Sequence, residues 1–154
     1  MKRVLITGMS GTGKSTLVRG LAARGCRAID VDEPGWSEAA PDGEWVWRAD
    51  GVRELLATED AEVILVAGCA SNQVQFYRQF EIIVLSAPAN VIRERLATRT
   101  TTPFGERPDE LAQVHSDLEH TEPKLRGVAG HETDTTAPLD EIVAAVLRIA
   151  HSTA

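Results

Sequence analysis

The chain has 154 residues, 43% of them hydrophobic, and a formal charge of -7. That length suits one domain, residues 1–154, with a core large enough for a central sheet covered by helices, and the acidic balance argues against nucleic-acid binding, which needs basic surface. Two cysteines without CxxC spacing, Cys26 and Cys69, exclude a disulfide framework and read as free thiols.

The apolar run behind the basic start covers only Val4 to Ile6, too short for a secretion signal or a membrane span. A cytoplasmic protein with no membrane partner is expected, as monomer or homodimer. Residues Arg3–Thr7 read as a buried strand, and Lys14–Arg24 as a helix with Leu17, Val18 and Leu21 on one face, closed by Gly25. A second strand is predicted at Arg27–Val31, then an acidic, tryptophan-rich loop, then a helix at Ala49–Thr58. "EVILVA" (Glu62–Ala67) and "EIIVL" (Glu81–Leu85) are continuous apolar runs of the kind buried in parallel sheets. A helix follows at Ala89–Arg99, with Ile92 and Leu96 facing inward. Periodicity breaks over residues 100–112, which read as a mobile lid, and helical signals resume at Asp109–His120. A weak strand at Gly130–Asp134 and an amphipathic helix at Leu139–Ala150 close the chain. Alternating strands and helices predict an α/β fold with a mainly parallel five-stranded sheet and helices on both faces.

Between the first strand and the first helix lies "GMSGTGKST". Gly8, Gly13, Lys14 and Ser15 satisfy G-x-x-x-x-G-K-[ST] in the strand-to-helix setting that the motif requires. The glycines, Gly11 among them, let successive N–H groups point at phosphate oxygens, with the positive end of a helix behind them. Lys14 supplies a cation for the β and γ phosphates, and Ser15 a hydroxyl for Mg²⁺. The expected nucleotide-binding set is Gly8, Gly11, Thr12, Gly13, Lys14, Ser15 and Thr16, with ATP and Mg²⁺ as the ligands.

Asp30 and Asp32, in "AIDVDEPGW", fall two apart and therefore on one side of an extended strand end. Trp36, Trp45 and Trp47 all lie between this pair and the next helix, where they either pack or wall a ligand. Glu33, Glu38, Asp42 and Glu44 make the same stretch acidic, which suits a polyhydroxylated or amine-bearing acceptor. His115 and His120, five residues apart on a helix, face different sides and do not form a metal site.

Taken in order, "GMSGTGKST", "IDVDE", "AGCASNQVQFYR", "VIRERLATR" and "DTTAPLDEIVAAVL" give the chain a resemblance to small P-loop kinases along most of its length. It resembles the shikimate kinase, gluconate kinase and nucleotide kinase-like group. The resemblance implies the P-loop NTPase fold with strand order 2-3-1-4-5. It also implies that Asp30 lies by the metal, and that Asp32 holds the acceptor hydroxyl and accepts or directs its proton. Region 32–48 would form the acceptor side, with Trp36, Gly68, Cys69 and Arg78 near the acceptor. Arg99 and Arg107 would be lid arginines acting on the transferring phosphoryl group, Arg95 would bind the nucleotide, and Thr136 and Pro138 would pass the adenine ring. The lysine of gluconate kinases and the triple glycine of shikimate kinases are missing after the third strand, so neither substrate is implied. An ATP-dependent kinase acting on a small-molecule hydroxyl is the first expectation. A nucleotide or nucleoside kinase, or a nucleotide-binding regulatory module, stays open beside it.

Overall fold

The structure is a computed structural model that describes residues 2–9, 12–59, 61–98 and 116–151. In chain order its elements are β1 (Lys2–Thr7), α1 (Lys14–Ala23), β2 (Arg27–Asp30), β3 (Ser37–Ala39), β4 (Trp45–Trp47) and α2 (Ala49–Ala57). Then come β5 (Val63–Ala67), a 3-10 helix (Ser71–Gln79), β6 (Glu81–Ser86) and α3 (Ala89–Thr98). A π turn (Asp117–Thr121), α4 (Glu122–Val128), β7 (His131–Asp134) and α5 (Leu139–Ala150) follow.

Five strands form one parallel sheet in the order β2-β5-β1-β6-β7. Counted within that sheet alone, the order is 2-3-1-4-5, as the resemblance implies. The apolar runs behave as strands buried on both faces. Val4, Ile6, Leu65, Ala67, Ile83 and Leu85 pack with α1 and α5 in one layer. Leu5, Ile64, Val66 and Ile82 pack on the other side with Trp47, Val52, Leu55, Leu56 and Phe76. Along α5, Ile142, Val143 and Val146 recur at helical spacing and are buried. Burying each such side chain stabilises by about 1.5–3 kcal/mol. No described helix is long and apolar enough to cross a membrane.

Three local features depart from expectation. The tryptophan-rich stretch is a two-stranded antiparallel hairpin, with Ser37 opposite Trp47 and Ala39 opposite Trp45. Its strands are too short for a period-2 pattern to stand out. After β5 the chain winds into a 3-10 helix. The third departure is α4, a helix with Pro123 and Gly127 within it, beyond the helix expected to end at His120. Pro123 stands in the helix's first turn, where its missing N–H costs nothing. Arg126 then ties α4 to β7 by bridging Glu122 (2.6 Å) and Glu132 (2.9 Å). The expected lid, residues 100–112, lies outside the described residues, as does most of the helix expected before His120.

Candidate active site

The carboxyl ends of β1, β2 and β5 meet at one edge of the sheet, and the chemistry-bearing side chains gather there. The first turn of α1 begins immediately after the glycine-rich loop. Gly13 takes φ +98°, a left-handed conformation that a side chain would strain, and this turns the chain into the helix. Lys14 Nζ donates to the carbonyls of Gly8 (2.5 Å) and Met9 (3.1 Å), which fix the cation over the loop. Thr12 is buried, and its hydroxyl donates to the Met9 carbonyl (2.7 Å), so it braces the loop from within. Ser10 and Gly11 lie outside the described residues.

Ser15 Oγ donates to Asp30 Oδ2 across 3.0 Å. An oxygen-only pair of this kind fits a hard divalent cation such as Mg²⁺, which takes few protein ligands and completes its shell with phosphate and water. No cluster of three or more histidine, cysteine, aspartate or glutamate ligands occurs among the described residues.

Asp30 Oδ1 also accepts the backbone N–H of Asp32 (3.0 Å), which sets the turn leaving β2. The Asp32 carboxylate is held by Trp47 Nε1 (3.0 Å to Oδ1) and by the Cys69 N–H (3.2 and 3.0 Å to its two oxygens). Burial pushes its pKa above the ordinary carboxylate value, and the Asp30 charge adds to this. Lys14 and the two N–H donors pull the other way without cancelling it. The result is a fixed carboxylate with more affinity for a proton than one in water. Gly68 is what lets Asp32 sit there: a Cβ on it would lie 2.8 Å from Asp32 Oδ1 and 3.0 Å from the Trp47 ring.

Cys69 contributes its backbone N–H, while burial raises its thiol pKa, opposite to what a nucleophile needs. Trp36 is half-buried against the α2 side of the core, and Trp47 is fully buried against Phe76. Trp45 is exposed and donates to the Asp32 carbonyl (2.9 Å). Two further residues were not picked out for these roles from the sequence. Asn72 joins the hairpin to the segment after β5, with its side-chain amide accepting from Trp47 N (3.1 Å) and donating to Trp47 O (2.8 Å). Buried Gln73 donates to Thr7 Oγ1 (3.2 Å) and to Tyr77 Oη (2.9 Å) and accepts from Ala70 N (3.0 Å). An isolated amide carries no motif, so neither had a signal to find.

Beside the loop is a cleft of about 310 Å³ lined by Gly13, Thr16, Leu17, Arg95, Thr135 and Ala137, with Leu139 and Ile142 of α5. Arg95 donates to Thr135 through its hydroxyl (2.9 Å) and its carbonyl (2.6 Å). The apolar walls and the guanidinium edge suit a nucleoside. The expected pair Thr136 and Pro138 do not line this cleft. Thr136 instead hydrogen-bonds Asp134 in the turn after β7 (2.8 and 2.7 Å), and Pro138 caps α5. Arg78 is not brought to the site either. It is exposed and lines a groove with Glu81 and His131, at the opposite ends of the strands. Arg99 and Arg107 lie outside the described residues.

A family model described as an AAA domain matches residues 4–115. Among solved structures, the shikimate kinase from Acinetobacter baumannii in complex with shikimate is 18% identical, with 97% of this chain and 92% of that chain covered and a TM-score of 0.70. The gluconokinase from Sinorhizobium meliloti 1021 is 23% identical, with 97% and 93% covered and a TM-score of 0.61. The shikimate kinase from Bacteroides thetaiotaomicron is 20% identical, with 96% and 97% covered and a TM-score of 0.66. A search of curated protein sequences found no match. With a family match over most of its length, and with the phosphate loop and strand order just described, the chain belongs to the AAA domain family and has the fold of the small P-loop kinases.

Proposed function

We propose that the protein is an ATP-dependent kinase that phosphorylates a hydroxyl group of a small molecule. The observation that carries this reading is the Asp32 carboxylate, fixed at the end of β2 by Trp47 and Cys69 and raised in proton affinity next to the phosphate-loop lysine. A nucleotide-binding loop that only senses its ligand has no need of such a group. Asp32 orients the acceptor O–H; the acceptor oxygen forms a bond to the γ phosphorus, the bond from that phosphorus to the β–γ bridging oxygen breaks, ADP departs, and the proton passes to Asp32. Lys14 and the loop N–H groups bind the phosphates, and the cleft by Thr135 takes the nucleoside. Ser15 and Asp30 would hold Mg²⁺, whose contribution when bound is to neutralise phosphate charge. Arg99 and Arg107 belong to the proposal as lid arginines, on the strength of the resemblance.

The acceptor side favours an uncharged polyol or an amine-bearing alcohol over a phosphorylated compound. Glu33, Glu38 and Glu44 are exposed there. Its two arginines are matched by carboxylates, Arg48 with Glu38 (3.8 Å) and Arg53 with Asp50 (2.6 Å). An ATP-consumption screen over hydroxy acids, sugars, aminoglycoside-like compounds and nucleosides tests the reading, run with wild type and Asp32→Asn. Asp32→Asn should keep the fold and ATP affinity and lose about two to four orders of magnitude in transfer. A wild type that transfers to no alcohol would refute the kinase, and full transfer by Asp32→Asn would refute Asp32 as the proton acceptor.

A further inference from the structure

Two indoles from one strand grip one residue. Trp45 and Trp47, two apart on β4, donate their ring N–H groups to the carbonyl and the carboxylate of Asp32, at 2.9 and 3.0 Å. We propose that the β3–β4 hairpin is a clasp that aims Asp32 at the acceptor, with Trp47 as a positioning residue of the reaction and Trp45 as its backbone counterpart. This rests on the kinase reading above.

Packing alone does not account for the pair. The Trp47 ring is fully buried against Phe76, with ring centroids 6.1 Å apart, and a phenylalanine would fill much of that space. What tryptophan adds is a buried N–H, which needs a partner and finds it in Asp32 Oδ1. Trp45 is 47% exposed, so only about half of its surface is buried, and its ring N–H is still engaged by the Asp32 carbonyl. The clasp is itself anchored, because the Asn72 amide engages both backbone groups of Trp47. Asp32 Oδ1 therefore takes donors from two separate elements, whereas Oδ2 shares only the Cys69 N–H and is the oxygen left to engage an acceptor hydroxyl. A carboxylate held at both its main chain and its side chain keeps one orientation through a catalytic cycle. Small errors in that orientation are costly to rate.

The test uses the full-length protein and two readouts. The chain has three tryptophans, so ¹H–¹⁵N spectra should show three indole signals. In Asp32→Asn, the Trp47 signal should move, while those of Trp45 and Trp36 stay near their wild-type positions. Separately, 3-benzothienylalanine placed at position 47 keeps the bicyclic shape and removes the donor. It should lower kcat roughly ten- to a hundredfold while leaving KM for ATP and the melting temperature near wild type. A Trp47 signal unmoved by Asp32→Asn overturns the clasp, and so does full kcat in the benzothienyl protein. Should wild type phosphorylate no alcohol at all, the kinase reading fails, and the clasp is still decided by the indole signals.

Discussion

Gly68 has no side chain, and that is its contribution. Any Cβ there would press on Asp32 Oδ1 and the Trp47 ring, and both are parts of one hydrogen-bonded unit. Gly68→Ala should therefore displace the carboxylate without disturbing the phosphate loop. Phosphoryl transfer is expected to fall about a hundredfold, with ATP affinity by calorimetry retained. Unchanged turnover would mean that the carboxylate accommodates the methyl group without losing its aim. At this scale the sequence announces residues that work as motifs. Gly8, Gly13, Lys14 and Ser15 carry their geometry in their spacing, and Asp30 and Asp32 share a strand end. Thr135 lines the cleft by the loop and its neighbour Thr136 does not, because the two occupy different sides of the strand end. That is decided by the hydrogen bonds from Thr135 to the Ser86 carbonyl, far away in sequence.

At the scale of elements, the hairpin depends on one borrowed amide. The Asn72 side chain stands where a further strand would pair with Trp47, satisfying an N–H and a C=O together. Asn72→Ala strips both groups of their partner, and a loss of about 1–3 kcal/mol in unfolding free energy is expected by denaturant titration. Transfer should fall more steeply than ATP affinity, since the hairpin supports Asp32 and not the loop. A stability equal to wild type would show that water replaces the amide without cost. The hairpin could not be read ahead of the structure for the same reason that it needs Asn72. Strands of three residues with one apolar flank are too weak to declare themselves, and they exist because tertiary partners complete them. The long buried strands and α5 need no such help, so their apolar runs and helical spacing were readable.

Over the whole molecule the two ends of the sheet divide their labour. The carboxyl ends carry the site; the amino ends are tied by Glu81, which pairs with Lys2 of β1 (2.7 Å) and His131 of β7 (2.8 Å). The hydrogen bond from Lys2, followed by that from His131, holds the Glu81 pKa below its ordinary value of 4.5. An acid with a depressed folded pKa adds stability above its unfolded value and loses it as pH falls through the folded one. Melting curves of wild type and Glu81→Gln should therefore differ near neutrality and converge as pH drops below about 4.5. A constant gap across that range would remove Glu81 from the acid sensitivity. Activity at neutral pH should be the same in both, because the substitution lies at the far end of the strands.

The strand that bears the phosphate loop sits in the middle of the sheet, and its partners are distant in sequence: Lys2 is in register with Val63, and Val4 with Glu81. During synthesis β1 leaves the ribosome long before either neighbour exists. An apolar strand with both edges open is a target for chaperones and for premature pairing with other chains. Only when Glu81–Ser86 has emerged can β1 be enclosed and the loop gain a fixed base, so nucleotide cannot rescue a shorter nascent chain. Closing contacts over such separations is slow, and until they close the strand stays open to aggregation.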